Sequence, residues 1–169
     1  MKLRAARPED LDTITQLQLA SWRTAYRGLV SDDFLDNKVP GLLAQRWAVL
    51  PGPKWRVDAV WQDDVMVGFA SLDLAHDGGA YVDNLHVLPR AKGQGVGRIL
   101  MARAAAHVIE EKQEKLWLTV MADNMPARAF YTRIGGQELA ATQESMLGEP
   151  VMALPVVWDG DRLAKLAKS

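Results

Sequence analysis

Gly93, Gly95 and Gly97 alternate through a single turn that joins an apolar strand to a helix with one apolar face. Residues 81–88 read as the strand, which ends at Pro89, a residue unable to donate to a ladder. The helix starts near Val96 and lines up Val96, Ile99, Leu100, Ala104 and Val108. The glycines let the backbone turn tightly and approach a ligand with no Cβ in the way. The first N–H groups of the helix lack intrahelical acceptors and lie at the positive end of its dipole. Such a turn suits a phosphate or pyrophosphate; a flexible turn with no ligand is the plainer alternative. Spacing disfavours two familiar nucleotide loops. A Walker A loop needs Gly-Lys-Ser/Thr, and Arg98 follows Gly97. A Gly-x-Gly-x-x-Gly fingerprint needs glycine at 98 or 100, where Arg98 and Leu100 stand.

The 169 residues suit one domain, 1–169, with a sizeable core. A formal net charge of −1 gives no basic excess for a nucleic acid. The absence of cysteine removes disulfides, Cys-based metal sites and any Cys nucleophile. The three histidines are scattered, so no metal-ligand cluster is expected. No apolar run reaches membrane-spanning length, and Met1-Lys2-Leu3-Arg4 does not open a signal peptide. A cytoplasmic protein is the default expectation.

In order, residues 3–6 read as a strand, and Arg7-Pro8-Glu9-Asp10 opens a helix running to about Tyr26. Ser31 N-caps a second helix that breaks at Pro40-Gly41 and resumes towards Leu50. Strands at 56–62 and 65–75 flank the turn Asp63-Asp64. After the glycine turn and its helix come a buried strand at 116–121 and a helix after Asn124 carrying Ala127, Phe130, Tyr131 and Ile134 on one face. Two strands, 137–143 and 151–158, follow. Residues 159–169 read as a loosely ordered polar tail. The class is α/β, with a mixed central sheet of about seven strands flanked by about four helices.

The segment Asn84-Leu85-His86-Val87-Leu88-Pro89-Arg90-Ala91-Lys92-Gly93-Gln94-Gly95-Val96-Gly97-Arg98 resembles the acetyl-CoA loop of the GNAT superfamily of N-acetyltransferases. Leu118-Thr119-Val120-Met121-Ala122-Asp123-Asn124-Met125-Pro126-Ala127-Arg128-Ala129-Phe130-Tyr131 is similar to that superfamily's next strand and helix. The element order also matches from Leu3 to Trp158. Two departures stand out. Lys92 occupies a position that is Arg or Gln in the superfamily, keeping the charge without the planar fork. Gly136 stands where an aromatic or apolar residue is usual.

The resemblance implies a GNAT-like fold and acetyl transfer from acetyl-CoA to a primary amine, in a small molecule or at a peptide N-terminus. Without a cysteine acyl-enzyme, direct attack in a ternary complex is expected. The cofactor is expected against Leu85, His86, Val87, Lys92, Gly93, Gln94, Gly95, Val96, Gly97, Arg98, Asn124, Ala127 and Tyr131. Backbone N–H groups of the loop would hold its pyrophosphate, and one at Leu85 or Val87 the thioester oxygen. Asn124 is equally a helix N-cap. Tyr131 would protonate the leaving thiolate, its plainer role being a core aromatic. Asp83, His86 or a water chain would take the amine proton. Trp22, Tyr26, Asp83 and Glu144 are candidates for the acceptor pocket, with core packing or solvation as the alternative. His76 reads as exposed and His107 as structural. No metal, nucleic acid or membrane partner is implied, and exposed late strands could pair two chains. A non-catalytic acyl-CoA-binding or sensing module on the same fold is the competing class.

Overall fold

The computed structural model describes residues 1–146 and 149–169. Strand β1 (Lys2–Ala5) leads into α1 (Leu11–Ala25), a π-helical turn (Phe34–Lys38) and α2 (Val39–Arg46). Strands β2 (Trp55–Gln62), β3 (Val65–Asp73) and β4 (Ala80–Val87) follow, then α3 (Val96–Glu110), β5 (Lys115–Met121) and α4 (Met125–Arg133). The chain closes with β6 (Gln137–Glu138), β7 (Thr142–Met146), β8 (Glu149–Asp159) and α5 (Gly160–Ala167). No described helix is long and apolar enough to cross a membrane.

The sheet has the order β1-β2-β3-β4-β5-β8-β6, with β7 also on β8. All pairings are antiparallel except β4 with β5. One face is covered by α1, whose Ile14 and Leu17 pack with Trp47, Val57, Ala59 and Phe69. On the other face, Met101, Ala104, Ala105 and Val108 of α3 pack against Leu116, Leu118 and Val120 of β5 and Trp158 of β8. The alternation along β5, with 116, 118 and 120 buried, is the period-two pattern of a strand with only one face in the core.

The parallel pairing of β4 with β5 is short. β4 meets β5 only at Ala80↔Leu116 and Tyr81↔Trp117. Beyond it, β5 stays paired with β8 as far as Met121↔Ala153, and β4 stays paired with β3 as far as Gly68↔Val87. The two strands therefore diverge and leave one edge of β4 unpaired. The divergence begins where the β3–β4 register shifts, with Val82 opposite Leu72 and Asn84 opposite Ser71. Asp83 is the extra residue, and such a bulge bends its strand.

Several boundaries differ from the sequence expectation. Pro40 does not break a helix; it follows the π-helical turn Phe34–Lys38 directly and lies in the first turn of α2. The expected strand at 137–143 is divided into β6 and β7, both on the outer edge of β8. The polar tail is also a correction. Residues Gly160–Ala167 form α5, and its Leu163 and Leu166 are buried in the same core as Val108. Burying each such leucine stabilises by about 2 kcal/mol, enough to dock a two-turn helix.

Candidate active site

The glycine turn has the geometry its sequence requires. Gly93 and Gly95 adopt φ of +77° and +86°, and Gly95 is the residue preceding α3. Any side chain at these positions would be strained. The amides of Gly93, Gln94 and Gly95 find no backbone acceptor among the described residues, so they are free for an anion. Val96 anchors the turn from below: it is buried, and a Cβ at Gly68 of β3 would sit 2.7 Å from its Cγ1. Gly97 similarly lets Phe130 of α4 approach, since a Cβ there would lie 3.0 Å from the ring. Lys92 and Arg98 are exposed beside the turn, and Gln94 Nε2 donates to Arg90 O at 2.8 Å.

The unpaired edge of β4 leads from this turn into the sheet. Leu88 N–H donates to Val67 O on β3 at 2.9 Å. Backbone groups along a strand alternate between its two edges. The N–H groups of Val87 and Leu85 consequently face the gap between β4 and β5. That of His86 faces β3, away from the gap. The His86 side chain is buried on the α1 face, with Nδ1 3.1 Å from Ser21 Oγ and the ring against Phe69. Burial, helped by the Lys92 charge, pushes its pKa down to about 3, so the imidazole is neutral and a poor proton acceptor.

The bulge also changes where Asp83 points. In a regular strand Asp83 and His86 would lie on opposite faces, but here both turn towards α1 and α2. Asp83 Oδ2 accepts from Arg46 Nη2 of α2 at 3.1 Å and from Asn84 Nδ2 at 2.6 Å. Asn84, absent from the sequence reading as a side chain of consequence, is the hub. Its Nδ2 also donates to Ser71 Oγ at 2.9 Å, and its Oδ1 accepts from Gln18 Nε2 at 2.7 Å. Gln18 Oε1 in turn accepts from Trp47 Nε1 at 2.6 Å. A buried amide satisfied on every side fixes the bulge.

The three tyrosines of the chain lie close enough to act on one another electrostatically, with Tyr81 at the last β4–β5 pair before the split. Tyr131 of α4 is 9% exposed and packs edge-on to Phe130 and Trp158. Its hydroxyl makes no hydrogen bond among the described residues, and burial, with Tyr26 and Tyr81 nearby, raises its pKa. Tyr26, half-buried just after α1, is raised by burial and then by Tyr81. Tyr81 is raised by burial and by the carboxylates of Asp83 and Glu144, and its hydroxyl meets Thr119 Oγ1 at 2.8 Å. Tyr81, not singled out by its sequence context, thus feels the charges of Asp83 and Glu144 and acts on Tyr26; in direct contact with it are two further rings. They are His76, stacked on Tyr81 at 4.6 Å, and Trp117 at 4.7 Å. His76 is therefore half-buried against aromatic rings instead of simply exposed.

Other expected contacts fall elsewhere. Trp22 is core: it packs with Phe34, Leu35, Val39 and Leu43, leaving only Tyr26, edge-on to it at 5.0 Å, near the tyrosine cluster. Asn124 N-caps α4, its Oδ1 accepting from Ala127 N at 3.3 Å. His107 is buried with Nε2 2.8 Å from Asp58 Oδ2, away from the split. Glu144, expected between two strands, is exposed on β7; Leu147 and Gly148 lie outside the described residues. Gly136 is explained by β8. A Cβ there would lie 2.5 Å from Val156 Cγ1 and 2.6 Å from Trp158 Cζ2, so the Trp158 ring fills the space a side chain would take.

The overall fold recurs in known proteins. The PaiA N-acetyltransferase of Thermoplasma acidophilum, solved in complex with coenzyme A, superposes with a TM-score of 0.73 at 18% identity, over 90% of this chain and 96% of that one. A GCN5-related N-acetyltransferase from Rhodopseudomonas palustris gives 0.75 at 21% identity, over 94% and 95%. In sequence, the uncharacterized N-acetyltransferase YuaI of Bacillus subtilis is 24% identical over 164 residues, 92% of this chain and 91% of that protein. The streptothricin acetyltransferase of Streptomyces lavendulae is 36% identical over 78 residues, 46% of this chain and 41% of that protein. The acetyltransferase (GNAT) family pattern itself matches residues 12–136, from α1 through the glycine turn to the end of α4, and the chain belongs to that family.

Proposed function

We propose that the protein transfers the acetyl group of acetyl-CoA to a primary amine by direct attack in a ternary complex. The observation that carries this reading is the continuity of the unpaired β4 edge. It runs from the free amides of the glycine turn, past the N–H groups of Val87 and Leu85, to the split at Tyr81, whose ring lies close enough to Tyr131 to act on it electrostatically. Bound acetyl-CoA supplies a thioester, whose carbonyl carbon the amine attacks as the carbon–sulfur bond breaks. Gly93, Gln94 and Gly95 hold the pyrophosphate through backbone N–H groups, with Lys92 and Arg98 adding positive charge. The N–H of Leu85 or Val87 donates to the carbonyl oxygen as it gains negative charge. Tyr131 stays protonated at neutral pH and gives its proton to the departing sulfur. Asp83 takes the proton lost by the amine, directly or through water. Tyr26, Tyr81, Trp117 and Glu144 wall the acceptor side, where aromatic faces and carboxylates favour a cationic amine.

Steady-state kinetics with acetyl-CoA and a panel of amines tests the reading, and the relative's name makes streptothricin one amine to include. The expected result is an acetylated amine by mass spectrometry, with intersecting double-reciprocal lines. Parallel lines would contradict direct transfer, and tight acetyl-CoA binding with no turnover on any amine would favour the sensing module.

A further inference from the structure

The two sides of the split carry different parts of the site. The N–H groups of Leu85 and Val87 stand on β4. Tyr131 belongs to the other side: α4 follows β5, and the Tyr131 ring meets Trp158 of β8 edge-on at 6.0 Å. On the α3 face the core joins the two sides, with Val82 of β4 in one cluster with Leu116 and Leu118 of β5. Side chains alternate along a strand, so Tyr81, Trp117 and Thr119 lie on the opposite face. There, a single side-chain hydrogen bond links β4 to β5 among the described residues: the Tyr81 hydroxyl and Thr119 Oγ1 lie 2.8 Å apart. Thr119 is two residues past Trp117, the last β5 residue paired with β4. The bond is therefore made about 6.6 Å further along β5, where the strands have begun to separate. The Tyr81 ring is held for this reach. It is stacked on His76 and tilted against Trp117, whose Nε1 donates to Gly79 O at 3.2 Å.

We infer that the Tyr81–Thr119 hydrogen bond latches the split and makes Tyr81 a positioning residue for the transfer. The inference rests on the acetyl-transfer reading. In that reading the thioester oxygen is met from β4 and its sulfur from α4, and both atoms are bonded to one carbon. The splay of β4 from β5 sets the distance between those two donors. A parallel ladder only two residues long is a weak hinge, and a bond beyond its last pair resists opening with the longer lever. A misplacement of about 1 Å at a reacting centre costs roughly a hundredfold in rate. The latch is therefore felt in kcat before it is felt in binding, because the glycine turn that holds the pyrophosphate lies past the other end of β4.

Tyr81→Phe keeps the ring and removes the hydroxyl, and Thr119→Val removes its partner at nearly equal volume. Each is expected to lower kcat about tenfold or more, with the calorimetric Kd for acetyl-CoA nearly unchanged. The double variant is expected to fall no further than either single one, since both remove the same bond. Thr119→Ser keeps a hydroxyl and is expected to recover most of the loss seen in Thr119→Val. Hydrogen exchange by mass spectrometry reads the latch with no substrate present. Residues 80–82 and 116–118 are expected to exchange about fivefold faster in Tyr81→Phe, with β2 unaltered. Unchanged exchange or an unchanged kcat in Tyr81→Phe, or losses that multiply in the double variant, would overturn the inference. Faster exchange in Tyr81→Phe, with no turnover of any amine by the wild type, would instead overturn the acetyl-transfer reading and leave the latch standing.

Discussion

Asn84 Nδ2 donates to Asp83 Oδ2 at 2.6 Å, a contact between consecutive strand residues that exists because the bulge turns both side chains to one face. The same amide ties β4 to Ser71 of β3 and to Gln18 of α1. Removing it leaves buried partners unpaired, each at a cost of about 1–3 kcal/mol. Asn84→Ala is expected to lower unfolding free energy by about 2–3 kcal/mol in urea titrations. It is also expected to raise KM for the amine while leaving acetyl-CoA affinity within a factor of a few, because the loop is untouched. An Asn84→Ala protein with wild-type stability would show that the network does not hold the bulge.

Tyr131→Phe isolates the proposed proton donor. The hydroxyl makes no hydrogen bond among the described residues, and the ring contacts to Phe130 and Trp158 survive the change. Stability is therefore expected to hold within about 0.5 kcal/mol. kcat is expected to fall by about 10²-fold or more, with the calorimetric Kd for acetyl-CoA nearly unchanged. An unaltered kcat would remove Tyr131 from the mechanism.

His86 makes stability depend on pH. Its pKa is about 3 in the folded chain against an ordinary 6.5, so the unfolded chain binds the extra proton in between. The sign follows: the contribution is complete above pH 6.5 and is lost as pH falls towards 3. Between pH 7 and pH 5 the unfolding free energy is expected to drop by roughly 2 kcal/mol from this group. Asp10 and Glu138, both lowered by bonding to arginines, act in the same direction but only below their ordinary values of 3.8 and 4.5. Denaturant titrations across pH 5–7 should therefore show the slope in wild type and a flatter one in a folded His86→Asn variant. Identical slopes would refute the assignment.

Gly136 is expected to reject even a methyl group. The added Cβ would meet Val156 and Trp158, and Trp158 is pinned by its Nε1 donating to Ile134 O at 3.1 Å. Gly136→Ala should cost about 1–3 kcal/mol by overpacking, read as a lowered midpoint in thermal unfolding. Trp158→Phe in the same background should recover part of the loss.

Local pattern and spacing made the strand–turn–helix at 81–110 legible, because glycine spacing, helical periodicity and Pro89 all agree there. Asn124 as an N-cap and His107 as a structural histidine were legible for the same local reason. What stayed hidden depends on contacts distant in sequence. The bulge at Asp83 is set by Gln18 and Ser71, so no feature of 80–87 alone announces it. Trp22 and Tyr26 share a helical face by spacing, yet the packing of Phe34 and Leu35 decides that Trp22 is core. Tyr81 gains its neighbours only once β4 and β5 meet. The helix at 160–167 did carry a signal, Leu163, Leu166 and Ala167 at helical spacing, which the polar composition around them masked.

The most direct test of the central claim is calorimetric titration of acetyl-CoA into the wild type and into Gly95→Trp. Gly95 sits at φ +86° with open space in front of it, so an indole there obstructs the free amides without invading the core. The account predicts micromolar binding by the wild type and its loss in a variant whose circular dichroism is unchanged. No binding by well-folded wild type, or equal binding by both proteins, would contradict it.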